Sequence, residues 1–179
     1  MSYPLLNSKT VFEGNVFRVR VDELEPPSGG SIRRDVVEHP GSVAIVPLDH
    51  EDHIWLVRQY RHPAQEDLLE LPAGTLKLNE DPNNCAVREC REEIGMAPGN
   101  LQSLGGFFIA PGYSTEFMHL FLARELTSSP LPPDKHEGIR VERISLPQAR
   151  ILLKHGELRD SKTIAGLVYA LNYLSKPGA

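Results

Sequence analysis

The run Val43-Ala44-Ile45-Val46 has no polar side chain on either face. Strand side chains alternate between two faces, so such a segment must be covered on both sides. This asks for a layered α/β architecture, a mixed sheet with helices on both faces. The helices are readable further along. Asp81 can cap a helix over residues 82–94, Pro82 suits its first position, and Gly95 can end it. Val87, Cys90 and Ile94 recur at helical spacing and form its expected buried stripe. Residues 147–155 and 161–174 read as two closing helices, the second with an apolar face of Ile164, Leu167, Val168, Leu171 and Leu174. A chain of 179 residues is long enough for one real core.

Shorter signals give the strands. Residues 10–24 alternate loosely through Val11, Phe17, Val19 and Val21, then break at Pro26-Pro27-Ser28-Gly29-Gly30. Residues 32–38 are rich enough in β-branched side chains for a return strand, so the pair is expected to form a hairpin with a long loop. Residues 43–48, 54–59, 101–108, 117–123 and 139–145 complete the strand set, with a turn at Ala110-Pro111-Gly112. Residues 1–40 are therefore expected to form a separate N-terminal strand and hairpin layer, and 41–179 the main domain. The hairpin either packs on the core or reaches a second subunit, which would cover a strand edge.

Composition narrows the partners. A formal net charge of −5, from 19 basic and 24 acidic side chains, argues against indiscriminate nucleic-acid binding, which needs a concentrated basic surface. No secretory pattern is read at either end. The apolar runs fall far short of the ~20 residues that cross a bilayer, so no membrane association is expected. Cys85 and Cys90 stand five apart on a helix and face different ways, which fits two free thiols in a reducing cytoplasm.

The chemistry is concentrated in Arg88-Glu89-Cys90-Arg91-Glu92-Glu93. A helix places Glu89, Glu92 and Glu93 at i, i+3 and i+4 on one face. Like charges so placed destabilise a helix by roughly 0.2–0.5 kcal/mol per pair, and the negative end of the helix dipole adds to this. Two readings stay open for the isolated segment. One is a solvated charged face, with Arg88 and Glu92 as an i,i+4 pair. The other is a site for Mg²⁺ or Mn²⁺, which bind carboxylate and phosphate oxygens. Upstream, Gly74 permits a tight loop and close backbone approach to metal or phosphate.

Gly74, Glu80, Arg88, Glu89, Cys90, Glu92, Glu93, Gly95 and Met96 together resemble the Nudix hydrolase signature. That signature is glycine, five residues, glutamate, seven residues, then Arg-Glu-hydrophobic-any-Glu-Glu-any-Gly-hydrophobic. Every fixed position matches over residues 74–96, with Cys90 and Met96 in the hydrophobic slots; a buried free cysteine behaves as a small hydrophobe. The resemblance implies a Nudix-type α/β/α sandwich. It also implies metal held by Glu89, Glu92 and Glu93, helped by the carbonyl of Ala73. Glu80 would be an outer or additional metal residue, and Arg88 would orient the glutamates through ion pairs. Two or three Mg²⁺ or Mn²⁺ ions per site are implied.

Val57-Arg58-Gln59-Tyr60-Arg61, followed by Glu70-Leu71-Pro72-Ala73-Gly74, is similar to the ADP-ribose pyrophosphatase branch of that family. So are the loop 110–116, with Pro111 fifteen residues after Met96, and the segment 156–163. The branch implies hydrolysis of the pyrophosphate bond of ADP-ribose to AMP and ribose 5-phosphate. Glu92, Glu93 and Glu137 would act in catalysis, Glu137 as base or water orienter, although Lys135 and His136 stand where several relatives carry acids. Gly74, Pro111, Gly112 and Glu116 would meet the substrate, and Arg18 and Arg33 would reach it across a homodimer. Arg61 suits phosphate by its fork or makes a surface ion pair. Glu70 binds ribose, orients Arg61, or is a strand-end surface charge. Phe17, Tyr60, Phe108 and Tyr113 are candidate platforms for a base, or core residues. The expected partner is thus a small nucleoside diphosphate derivative. Rival readings are a hydrolase of nucleotide sugars or of flavin or nicotinamide dinucleotides, and a noncatalytic module, whose expected sign would be a broken carboxylate set.

Overall fold

The structure is a computed structural model that describes residues 3–132 and 138–176, so Glu137 lies outside the described residues. The elements run β1 (Leu5–Glu13), β2 (Arg18–Leu24), β3 (Ile32–Glu38), β4 (Ser42–Pro47), β5 (His53–Arg61), β6 (Glu66–Glu70), β7 (Ala73–Thr75), α1 (Pro82–Glu93), β8 (Met96–Phe108), β9 (Phe117–Ser128), β10 (Arg140–Ser145), α2 (Leu146–His155) and α3 (Ser161–Leu174). They fall into two compact units. One is Met1–Gly41 with Phe107–Met118; the other is Ser42–Gly106 with His119–Ala179. Among the described residues, no helix is long and apolar enough to cross a membrane.

In the larger unit β4 is buried along its whole length. Its alternation sorts the core into two layers. Val43 and Ile45 pack with Cys85, Ala86, Cys90 and Ile94 of the α1 region, whereas Val46 joins Leu71, Leu122, Leu167 and Ala170 on the α3 side. The strands hydrogen-bond in the orders β7-β4-β9-β8 and β10-β5-β6. The expected sandwich, with helices on both faces, follows directly from the two-sided burial of β4. On α1 the buried positions are Cys85, Ala86, Glu89 and Cys90, and Val87 is only half-buried. The expected stripe is therefore rotated by about one position.

The face of α3 is also shifted. Thr163, Gly166, Leu167, Ala170 and Leu171 are buried, while Ile164 and Val168 are exposed. Gly166 explains the shift. A Cβ there would stand 2.3 Å from Leu71 Cδ1 and 3.2 Å from Leu120 Cδ1, so the helix lies flush against the sheet through its small residues.

In the smaller unit, the run expected over residues 10–24 divides into β1 and β2, joined by a turn in which Gly14 N donates to Phe17 O at 3.0 Å. The sheet order is β1-β2-β3, with both pairings antiparallel. β1 is exposed throughout and carries Leu5, Leu6, Val11 and Phe12 to the surface. This unit also takes in the loop at Ala110-Pro111-Gly112. Val37 N donates to Tyr113 O at 2.7 Å, and Thr115 N to Val37 O at 2.9 Å, so the loop extends the sheet beside β3. The N-terminal layer is thus not made by the first 41 residues alone.

Candidate active site

α1 starts where its sequence asks it to. The Asp81 carboxylate accepts from Asn83 N and Asn84 N, and Pro82 occupies the first turn, where its missing N–H costs nothing. About two turns on, Arg88 becomes a hub. Its Nε and Nη2 reach the two oxygens of Glu80 at 2.8 and 2.9 Å, and its Nη1 reaches Glu89 Oε1 at 2.5 Å and Glu92 Oε2 at 2.9 Å. Three carboxylates thus gather on one guanidinium. The Arg88 bonds hold Glu80 down to about 2 against the upward push of desolvation. The Glu80 hydrogen bond, with Glu89 and Glu92 behind it, raises Arg88 further above its usual range.

Glu89 is buried and packs against the backbone of Gly74: a Cβ on that residue would stand 1.9 Å from Glu89 Oε1. Gly74 is not one of the positive-φ glycines, so it is required for space and not for an unusual backbone conformation. Ala73 N donates to Glu93 Oε2 at 3.1 Å and ties the same loop to the end of α1.

A second group flanks this one. Arg61 Nε and Nη2 grip the two oxygens of Glu70, each at 2.7 Å. Glu70 is 1% exposed, which rules out the surface-charge reading and favours that of an orienter of Arg61. Burial pushes its carboxyl up, but the Arg61 bonds and the Lys162 charge outweigh this and leave it below the ordinary range. Arg61 also feels the charge of Glu93. Lys162, Asp160 and Thr163 complete the group; they lie in the segment 156–163 noted for its resemblance, where the resemblance assigns them no role. Lys162 Nζ bonds Glu70 Oε2 and, at 2.9 Å, Asp160 Oδ2. Asp160 caps α3 through Thr163 N, and Thr163 Oγ1 accepts from Leu71 N at 2.8 Å.

A family model described as NUDIX domain matches residues 38–167. The chain belongs to the Nudix family. It is 33% identical to the methanol dehydrogenase activator of Bacillus methanolicus, over 92% of this chain and 90% of that one. It is 35% identical to an ADP-ribose pyrophosphatase of Bacillus subtilis, with coverage of 92% and 88%. It is 37% identical to an ADP-ribose pyrophosphatase of Mycobacterium tuberculosis, with coverage of 93% and 82%. A crystal structure of an ADP compounds hydrolase superposes with a TM-score of 0.88 at 25% identity, covering 99% of this chain and 97% of that one.

Nudix hydrolases work with divalent metal, and the donor set on the Nudix helix suits one. Carboxylate oxygens are hard ligands, they outnumber the Arg88 charge, and the Gly74 hollow seats Glu89 among them. A different trio, Asp49, Glu51 and His53, has ligand atoms that converge within 4.8 Å. There Arg143 Nη2 already stands 2.5 Å from Asp49 Oδ2 and 2.9 Å from Glu51 Oε2, so a guanidinium fills the place of a cation.

Several expected site residues belong to the smaller unit. Arg18 lies 3.8 Å from Glu38, and Arg33 lines a shallow cleft with Lys9 and Glu23. Pro111 and Gly112 sit in the exposed loop, and the Glu116 backbone is held by Ser114 Oγ at 3.1 Å. Arg58 faces away from Arg61 and pairs with Glu142 at 2.5 Å. Phe17, Tyr60, Phe108 and Tyr113 are all exposed, so none of these aromatics is core. Cys85 and Cys90 are free and buried, and burial pushes both thiols up to about 12.

Proposed function

We propose that this Nudix chain hydrolyses the pyrophosphate bond of ADP-ribose, with one water consumed and AMP and ribose 5-phosphate released. The observation that carries the reading is the joint placement of two groups in one unit. Glu80, Glu89 and Glu92 are collected by Arg88 beside Gly74, and Arg61, gripped by Glu70, stands within the field of Glu93. The names of the relatives at 35% and 37% identity support the choice of substrate.

Glu89, Glu92 and Glu93, with the Ala73 carbonyl, would hold Mg²⁺ or Mn²⁺, and Glu80 would stand behind them or serve a further ion. Such an ion neutralises phosphate charge and lowers the pKa of a bound water. Arg61 takes a phosphate on the outer edge of its fork while Glu70 fixes the inner edge. Glu137 is proposed as the base or water orienter. Gly74, Pro111, Gly112, Glu116, Arg18 and Arg33 are proposed as substrate contacts. A homodimer is proposed through the exposed apolar side chains of β1, and a cytoplasmic setting fits the two buried thiols.

The test is a product assay with Mg²⁺ on ADP-ribose, ADP-glucose, FAD and NADH at matched concentrations. ADP-ribose is expected to have the highest kcat/KM, and Glu137→Gln to lower its turnover. A tenfold preference for another compound overturns the substrate. Near-wild-type turnover in Glu137→Gln removes that residue from the mechanism.

A further inference from the structure

Asp160, Lys162 and Thr163 at the start of α3 have no part in the chemistry above, yet they close around the buried charge of Glu70. Glu70 is 1% exposed, and both of its oxygens are bonded. Lys162 is shared between Glu70 and Asp160. Asp160 Oδ2 also accepts from Thr163 N at 3.0 Å and Thr163 Oγ1 at 2.5 Å. The charged members are two acids and two bases, so the set is neutral as it stands. The two cations differ in access: the side chain of Arg61 is 40% exposed, whereas that of Lys162 is 11% exposed. Arg61 therefore has an edge to offer a ligand, and Lys162 is largely enclosed on the same carboxylate.

We infer that Lys162 is a positioning residue for the diphosphate: it satisfies Asp160 and shares Glu70, which leaves Arg61 in its two-bond grip with its outer edge turned to the substrate. This rests on the proposed role of Arg61 as a phosphate ligand. Low-dielectric surroundings make each unpaired charge in such a set costly. With Lys162 gone, two carboxylates would compete for one guanidinium, and Arg61 already lies in the field of Asp160. Arg61 would be drawn toward Asp160 and away from the phosphate.

This arrangement gives an unusual double-variant prediction. Lys162→Met should raise KM about tenfold or more, with kcat changed by less than threefold. Lys162→Arg keeps the charge and should stay close to wild type. Asp160→Asn combined with Lys162→Met removes the competing carboxylate but keeps an N-cap side chain, since asparagine caps as well as aspartate. That double variant should bring KM back to within about threefold of wild type. A purely structural role for Lys162 makes the opposite prediction, a double variant at least as impaired as the single one.

KM is measured on whichever diphosphate in the panel the wild type hydrolyses best, so a wrong substrate assignment does not obscure the result. Crystal structures of the same variants read the geometry without turnover. Arg61 is expected on Asp160 in Lys162→Met and on Glu70 in the double variant. Should Lys162→Met fail to fold, the double variant and Lys162→Arg still decide. Arg61 unmoved in both structures, or no recovery of KM in the double variant, overturns the inference.

Discussion

Replacing Gly74 by alanine tests the active-site geometry with a single methyl group. Its backbone conformation is open to alanine, so the added Cβ acts only through what it meets. It would lie 1.9 Å from Glu89 Oε1, 2.0 Å from Cδ and 2.6 Å from Oε2. Real Cβ contacts essentially never fall below 3.0 Å, so the carboxylate must retreat by about 1.1 Å or more. Arg88 and burial leave it little room to do so gracefully. A displacement of ~1 Å in a reacting constellation costs on the order of a hundredfold in rate, or about 2.7 kcal/mol. The stability effect should be small, because what moves is a side-chain end and because alanine lowers the entropy of the unfolded chain, a gain of ~0.4–1 kcal/mol. The assay pairs kcat/KM on ADP-ribose at saturating Mg²⁺ with a thermal melt. A hundredfold loss with Tm shifted by only a few degrees is expected. A kcat/KM within threefold of wild type would refute the seating of Glu89 on Gly74 as a requirement for activity.

Three further outcomes follow from the same geometry. Glu89→Gln and Glu93→Gln should each lower kcat by about a hundredfold or more while the circular dichroism spectrum is kept, because each removes a charge proposed to hold the metal; turnover within tenfold of wild type speaks against their roles. Asp49 is held at about 2, since bonds from His53 N, Trp55, Arg143 and Glu51 N overcome the upward push of burial. A lowered carboxyl stabilises the fold above its ordinary value of 3.8 and loses that contribution as pH falls toward 2. Wild type should therefore lose about 2 kcal/mol more than Asp49→Asn between pH 5 and pH 2 in urea titrations, and parallel curves would contradict this. Thr115 Oγ1 accepts from His39 N at 2.9 Å and donates to His39 O at 3.2 Å. Thr115→Val should cost about 1 kcal/mol and raise KM more than it lowers kcat, with Thr115→Ser restoring both; an unchanged KM would separate the loop from substrate binding.

The parts of the fold that were legible in the sequence are those set by local rules. Asp81, Pro82 and Gly95 bound α1 because capping acts within one turn, and β4 declared its two-sided burial through four apolar residues in a row. The faces of α1 and α3 hold at Cys90, Ile94, Leu167 and Leu171 but depart at Val87, Ile164 and Val168, for a shared reason. Close helix–sheet packing uses small residues such as Ala86, Gly166 and Ala170, which weigh little in an apolar pattern. Neither β6 nor β7 stands in the strand set read from the sequence, although the strand-end reading of Glu70 coincides with the end of β6. The β5–β6 hairpin turns at Gln65, at φ 57° and with no glycine to mark it, and β7 is only three residues long. The break between β1 and β2 did carry a signal, Gly14-Asn15, which the loose alternation on either side concealed.

The site divides in the same way. Glu89, Glu92 and Glu93 could be read from helical spacing and from the family signature, as could the Arg88–Glu92 pair. The Lys162 partner of Glu70 lies 92 residues away in sequence, and no local spacing links them. Its place became visible only once α3 was seen against the β6–β7 connection. Arg58 and Arg61 show the converse: strand alternation puts them on opposite faces of β5, and Glu142 gives Arg58 its partner.

The acid cluster of the Nudix helix is proposed to hold a divalent cation against a diphosphate. Calorimetric titration of the folded protein with Mn²⁺, alone and with a nonhydrolysable ADP-ribose analogue, tests it most directly. Saturable uptake is expected, tightened by the analogue and abolished in Glu89→Gln and Glu93→Gln. Absence of uptake under both conditions, or equal uptake by the two variants, would contradict it.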